Sequence, residues 1–461
     1  MSIVYAVCVP HPPLIIPEVG KGEQKGIQTT IDSYEAVMKK AASFQPELVI
    51  ITSPHATTYL DYLHISPGSH AQGNFGQFRA PQVSVEADYD EEFVHALSER
   101  CMEKGIPAGT QGERNPELDH ATMIPLYFLH HYTTNFKVVR IGISGLSALA
   151  HYQFGQAIQE TVESLGRRTV FIASGDLSHK LKEDGPYGFA KEGPQFDREI
   201  TEAFAKGDFL KFLTFASAFC DKAAECGLRS FIIMAGALDR IKVASTLYSY
   251  EGPFGVGYGV AEFLPEGRDA SRNIGEIYEA QMLEKAKVLQ AKEDPYVHLA
   301  RETIIRFVQH QPKITDLSSY PKEMREKRAG VFVSLHEEGE LRGCIGTFKP
   351  TTACIAEEIM QNAVSACSED PRFPEVEEEE LERLVISVDV LGEVEPVKDT
   401  TELDPQRYGV IVSCGGRRGL LLPDLEGVDT VDEQIAIARR KGGISKEEPI
   451  TLQRFEVVRH V

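Results

Sequence analysis

Short β-branched runs alternate with helix-length segments through the first 265 residues, and this alternation constrains the fold more than any other feature of the chain. Ile3–Val9, Leu48–Thr52, Val138–Ile143 and Val170–Ala173 are apolar on both faces, as strands buried inside a parallel sheet must be. Gln24–Ser43, Glu91–Lys104 and His151–Leu165 lie between them with helical spacing. The pattern predicts an α/β sandwich, with helices flanking a mostly parallel or mixed sheet. The glycine-rich run Gly252–Phe263 reads as a loop entering a last strand, without a P-loop or dinucleotide fingerprint.

A chain of 461 residues exceeds what one hydrophobic core usually holds, so a second domain is expected. Residues 266–293 are polar, with an Ala/Glu/Lys-rich stretch at Ile277–Gln290, and read as a linker that contains a helix. Asp294-Pro295 then resembles a helix start. Gly330–Gly346 reads as a hairpin turning at Glu338-Gly339, Leu384–Leu391 as a strand and Val431–Lys441 as a short helix. Without regular alternation, residues 294–461 are expected to form a separate α+β domain. No internal repeat relates the halves.

The formal charge of −21 argues against nucleic-acid binding and against anionic membrane surfaces, both of which require clustered Lys and Arg. The N-terminus lacks the basic and apolar regions of a signal peptide. The eight cysteines are scattered, without a CxxC pair, and are expected to be reduced thiols of a cytoplasmic protein.

Ten of the fourteen histidines precede residue 265, and three of them follow strands: His11, His55 and His179. Loops beyond the carboxyl ends of strands converge in open α/β sheets. His120 is a fourth candidate, next to Asp119, a helix cap. Two imidazoles and one carboxylate on one face of a metal leave positions open for substrate and oxygen. The third ligand is available in KAAECGLRS, as Glu225 or Cys226. Any one histidine after a strand is more often a satisfied polar residue than a ligand, and Glu225 alone reads as a solvated helix-end carboxylate. His64, His70, His95, His130, His131 and His151 lack the pattern and read as surface or core residues.

The set CVPHPPLI, ITSPH, LDHATMIPL, SGDLSH and AECGLRS resembles the class III extradiol dioxygenase (LigB-like) family across residues 1–265. The resemblance implies Fe(II) held by His11, His55 and Glu225, with His179 as catalytic base and His120 orienting substrate or oxygen. It implies an aromatic diol and O2 as substrates, and a homo-oligomer. The related Memo proteins carry cysteine at the third ligand position. Here Glu225 and Cys226 are adjacent, with Glu225 preferred and Cys226 the alternative. With Cys226 as ligand, a metal-handling or redox role without ring cleavage is implied instead.

Residues 294–461 carry LRGCIGTF, EDPRFPEV and VISVDVLG. Gly343 and Gly346 permit close backbone approach, and Arg342 near Cys344 would activate the thiol; the competing reading is a tight bend around a small buried thiol. Asp370 and Arg372 are placed to pair. These motifs resemble the AMMECR family, which implies that Arg342, Gly343, Cys344 and Gly346 line a pocket. The pairing resembles two components of the AmmeMemoRadiSam system, fused, and implies a separate radical-SAM enzyme as partner.

Overall fold

The computed structural model describes residues 2–425 and 427–461. It divides into two units, the first ending at Tyr278 and the second spanning Glu279–Val461, with the helix Ile274–Gln290 running across the boundary. Among the described residues no helix is long and apolar enough to cross a membrane.

The first unit is built on six strands: β1 (Ile3–Val9), β2 (Leu48–Ser53), β3 (Lys137–Gly142), β4 (Thr169–Ser174), β5 (Ile241–Glu251) and β6 (Tyr258–Arg268). Their order across the sheet is β3-β2-β4-β1-β6-β5. The first four are parallel, and β6 and β5 add antiparallel at one side. Because β4 lies between β2 and β1, three neighbouring strands present their carboxyl ends together. The sheet is thus mixed, with β6 emerging from the glycine-rich run and extending to Arg268, inside the segment read as linker.

Each face of the sheet is covered. Tyr34, Val37 and Met38 of the helix Gln28–Ser43 pack with Met123 and Ile124 of the helix His120–His130 against Val7, Val9, Ile51 and Ile172. On the opposite face the buried Cys8 thiol touches Met234 of the helix Leu228–Ala237. That helix crosses the helix Ala148–Leu165 at two glycines. A Cβ on Gly155 would lie 2.1 Å from the Ile233 carbonyl oxygen, and one on Gly236 would lie 2.0 Å from that of Tyr152. Only hydrogen at these positions allows the two backbones to approach.

The second unit curls an antiparallel sheet of seven strands: β7 (Val331–Glu337), β8 (Glu340–Thr347), β9 (Val385–Leu391), β10 (Glu395–Val397), β11 (Tyr408–Cys414), β12 (Arg417–Leu421) and β13 (Thr451–His460). The order is β8-β7-β9-β13-β11-β12, with β10 beside β13. The β7–β8 hairpin turns at Glu338 and Gly339, whose φ angles of 54° and 87° give the two left-handed residues of a type I′ turn. The helices Pro295–Val308 and Ile355–Ser368 bury Leu299, Ile304, Ile359 and Ala363 against Val331, Val333 and Leu335. Asp294 caps the first of these helices, accepting from the Tyr296 and Val297 N–H groups.

The glycine crossing yields a prediction of sign. In an open helix Gly→Ala stabilises by up to about 1 kcal/mol. At Gly236 the added methyl meets backbone, so Gly236→Ala is expected to destabilise by about 1–3 kcal/mol in urea unfolding. A raised denaturation midpoint would contradict the close crossing.

Candidate metal centre

Three loops from neighbouring strand ends, the start of one helix and the loop before another build the site. His11 leaves β1, and its N–H donates to Asp176 Oδ1 at 2.7 Å. Ser174 Oγ lies 3.1 Å from His11 Nδ1 and can accept its proton, which leaves the Nε2 lone pair for a metal. His55 leaves β2, with its N–H donated to Ser53 Oγ at 3.1 Å. Ser53 in turn donates to Asp119 Oδ1 at 2.7 Å, and Asp119 caps the helix that begins with His120 by accepting from the Thr122 N–H. One carboxylate therefore ties the His55 loop to the His120 helix.

His179 follows β4 in the turn SGDLSH. Its Nδ1 lies 2.5 Å from the Ala224 carbonyl oxygen. A carbonyl only accepts, so Nδ1 carries the proton and Nε2 keeps a free lone pair. Ala224 itself is left-handed, with φ of 53°. That residue swings the chain so that Glu225 and Cys226 point to different places. The Glu225 carboxylate turns toward the start of the next helix, where Oε2 accepts from the Leu228 N–H at 2.7 Å. The Cys226 Sγ faces the histidines, 3.6 Å from His11 Nε2. The thiol thus stands where the sequence reading preferred the carboxylate.

The approach of the Cys226 loop depends on two glycines. A Cβ on Gly175 would lie 2.1 Å from the Gly227 Cα, so the SGDLSH turn and the ECG turn meet backbone to backbone. The Cys226 N–H then donates to the Asp176 carbonyl oxygen at 3.4 Å.

His11, His55 and Cys226 together offer ligand atoms within 4.8 Å of one another. The Nε2 atoms of His11 and His55 are 3.2 Å apart. Two nitrogens each ~2.1 Å from a shared ion and ~100° apart stand ~3.2 Å from one another, and a sulfur at ~2.3 Å opened to ~110° stands ~3.6 Å from a nitrogen. The observed spacings match both values, so the donor set fits one metal ion. The His120 ring stands 4.3 Å from the His55 ring and 5.4 Å from that of His11, and its other face meets Phe78 edge-on at 5.3 Å. Tyr187 packs edge-on to His179 at 5.1 Å.

Burial sets the protonation of the whole group. It holds His11 well below its ordinary value, helped by the neighbouring His55, His120 and His179. Burial also lowers His55 and His179, and lowers His120 to about 4. It pushes the Cys226 thiol well above its usual range, with the Asp176 and Glu225 carboxylates adding to the effect. Burial raises Asp176 to about 7, opposed by the His11 N–H. Burial therefore favours neutral imidazoles, whose lone pairs can bind a metal, and a protonated thiol that must lose its proton to do so.

Asp176 was not singled out in the sequence, although it stands inside SGDLSH. It contacts both the His11 and the Cys226 loops, and its Oδ2 is 3.9 Å from His11 Nε2. The remaining histidines lie elsewhere. His64 is buried with neither ring nitrogen hydrogen-bonded and its Nε2 3.9 Å from Glu113 Oε2, His151 is buried against Ser144 and Ser147, and His70, His95 and His131 pair with Asp88, Glu99 and Glu35. His130 rests on Phe136.

In the second unit, Arg342 is committed to Glu380 at 2.6 Å and to the Pro374 and Glu375 carbonyls, not to Cys344. Ser334 Oγ donates to Cys344 Sγ at 3.2 Å from the partner strand. Asp370 accepts the Cys344 N–H at 2.9 Å and pairs with Arg372 at 2.7 Å. Packing accounts for both glycines: a Cβ on Gly343 would lie 2.2 Å from the Ala366 carbonyl oxygen, and one on Gly346 would lie 2.3 Å from the Phe332 ring. A cleft of about 590 Å³ opens elsewhere in this unit, bounded by His298, Glu302, Arg306, Lys313 and Tyr320, none of them a candidate from the sequence.

A mixed sheet whose parallel strand ends bring His11 and His55 beside Cys226, with two further imidazoles next to them, defines an α/β protein with a donor set that could hold one metal ion. The chain belongs to the family of the catalytic LigB subunit of aromatic ring-opening dioxygenase, whose model matches residues 5–261, and carries an AMMECR1 domain at residues 297–460. A Clostridium acetobutylicum protein is 41% identical over 470 residues, covering 100% of this chain and 99% of that protein. A Thermotoga maritima protein is 50% identical over 170 residues, covering 36% of this chain and 98% of its own length. A solved structure of a Pyrococcus horikoshii protein, 29% identical, covers 36% of this chain and 88% of that one at a TM-score of 0.33.

The electrostatics predict how metal affinity depends on pH. The imidazoles are already neutral near pH 7, so they release no proton on binding, whereas the Cys226 thiol must release one. Affinity is therefore expected to rise about tenfold per pH unit or more between about pH 6.5 and 8, and to lose about one proton of that slope in Cys226→Ala, where only the neighbouring Asp176, raised to about 7, still titrates. Competition titrations with a chelator across that range check it. A flat wild-type profile would mean that the thiol does not bind the metal.

Proposed function

We propose that the first unit is a metal-dependent oxidoreductase on the dioxygenase fold, with iron as its metal, held by His11, His55 and Cys226. The observation that carries this reading is the 3.2 Å and 3.6 Å spacing of the three donor atoms around one point. A redox metal there supplies electron transfer and a Lewis-acidic point for a chelating oxygen substrate. The substrate class is a small chelating molecule of the catechol type, flanked by Phe78 and Tyr187. His179, with its Nε2 lone pair free, takes a proton from the bound hydroxyl, and the lowered pKa keeps it in the base form at neutral pH. His120 donates or accepts a hydrogen bond on the opposite side, beside His55.

Thiolate is a softer donor than carboxylate and shifts a site toward softer metals and electron transfer. The reading therefore favours redox chemistry without ring cleavage over extradiol cleavage. A specific observation keeps cleavage as the second reading: two imidazoles, His120 and His179, stand ready for acid–base work beside the donor set.

Anaerobic purification with metal analysis and oxygen-electrode assays on a catechol panel separates the two. The proposal expects near-stoichiometric iron in wild type and Glu225→Ala, loss of iron in Cys226→Ala, and no diol-dependent oxygen uptake. Uptake abolished by Glu225→Ala and spared by Cys226→Ala would establish ring cleavage and defeat the thiolate reading.

A further inference from the structure

We infer that Asp197 is a positioning residue for His179: its buried carboxylate holds the Ser178 N–H and so fixes the turn from which the imidazole reaches the metal centre. The inference rests on the reading of His179 as the acid–base group.

Asp197 lies on the helix Glu192–Lys206 and is fully buried. A carboxylate without a cationic partner is costly to bury and persists only where donors converge on it. Its Oδ1 accepts from the Ser178 N–H at 2.8 Å, and its Oδ2 accepts from the Tyr250 hydroxyl at 2.7 Å. Gly257 makes room for it, since a Cβ there would lie 2.0 Å from Oδ2. Gly257 also exchanges backbone bonds with the same turn, donating to the Ser178 carbonyl and accepting from the Leu177 N–H, both at 2.8 Å.

The helix meets the turn at a second point one turn earlier. A Cβ on Gly193 would lie 2.6 Å from Ser178 Oγ and from the Lys180 carbonyl oxygen. Gly193 and Asp197 are four residues apart and share one helix face. On the far side of the turn, Ser178 Oγ donates to the Ala223 carbonyl at 2.8 Å and His179 Nδ1 donates to that of Ala224. The turn is therefore clamped between Asp197 and the segment that carries Cys226. Releasing the Asp197 side removes the hold on the Ser178 N–H, the bond that fixes the peptide between Leu177 and Ser178 from the helix side, and loosens the registry that points His179 Nδ1 at Ala224. Among the described residues Asp197 makes no hydrogen bond to His11, His55 or Cys226, whose partners are Asp176, Ser174 and Ser53, so the three donors stand apart from it.

The test is imidazole ¹⁵N NMR on the full chain with labelled histidine at a pH where the ring is neutral, with the His179 signals assigned through His179→Gln. Wild type is expected to show a single Nδ1-protonated tautomer. Asp197→Asn is expected to keep it, because the amide oxygen still accepts from Ser178. Asp197→Ala is expected to mix the two tautomers, while anaerobic Fe(II) affinity stays within about twofold of wild type, against the 10- to 100-fold loss typical of residues that orient metal ligands. A single, unshifted tautomer in Asp197→Ala overturns the inference. Fe(II) affinity lost together with the tautomer also overturns it, because Asp197 would then support the whole site. Should Asp197→Ala fail to fold, Asp197→Ser, whose hydroxyl is too short to reach the Ser178 N–H, decides by the same signals. Tautomer mixing without any change in a metal-dependent reaction would leave the inference standing and remove His179 from the chemistry.

Discussion

The backbone contact between Gly175 and Gly227 is the constraint on which the candidate metal centre depends. A methyl at either position would force apart the turn after β4 and the turn before the helix Leu228–Ala237. With hydrogen at both, Cys226 comes within 3.6 Å of His11 although 215 residues separate them in sequence. The same contact seats the Ala224 carbonyl against His179, so the segment that carries Cys226 also sets the tautomer of His179. Ligand and base are therefore coupled through one short loop. The glycine crossing of the helices Ala148–Leu165 and Leu228–Ala237 carries this constraint further back, because it fixes the helix that follows the loop.

Desolvation prepares the site once the backbone has assembled it. Each imidazole loses hydration for its charged form, and at His11 the three neighbouring imidazoles add to that penalty. The thiol and Asp176 are driven the other way, toward their protonated forms. The result is a cluster held toward its neutral forms, with His11, His55 and Cys226 close enough to share one ion. Second contacts hold the ligands in place: Ser174 and Asp176 on His11, and Ser53 with Asp119 behind His55.

Much of this was legible in the sequence because strands buried on both faces leave long β-branched runs. The ends of β1, β2 and β4 located His11, His55 and His179, and the I′ turn at Glu338-Gly339 and the cap at Asp294 were equally local signals. The choice between Glu225 and Cys226 was not local. It depends on the left-handed φ of Ala224, a residue with no composition signal for that conformation, and on a glycine contact between distant segments. Arg342 misled for a related reason: sequence proximity to Cys344 says nothing of Glu380, which claims the guanidinium from another part of the chain. Asp197 was invisible because its partners, Ser178, Tyr250 and Gly257, are brought together only by the packed fold.

The claim that a thiolate completes the metal centre is tested most directly by X-ray absorption on the iron-loaded protein. The account predicts one sulfur scatterer at ~2.3 Å beside nitrogen ligands, with that sulfur absent in Cys226→Ser. A wild-type spectrum with only nitrogen and oxygen scatterers would contradict it and return the third position to a carboxylate.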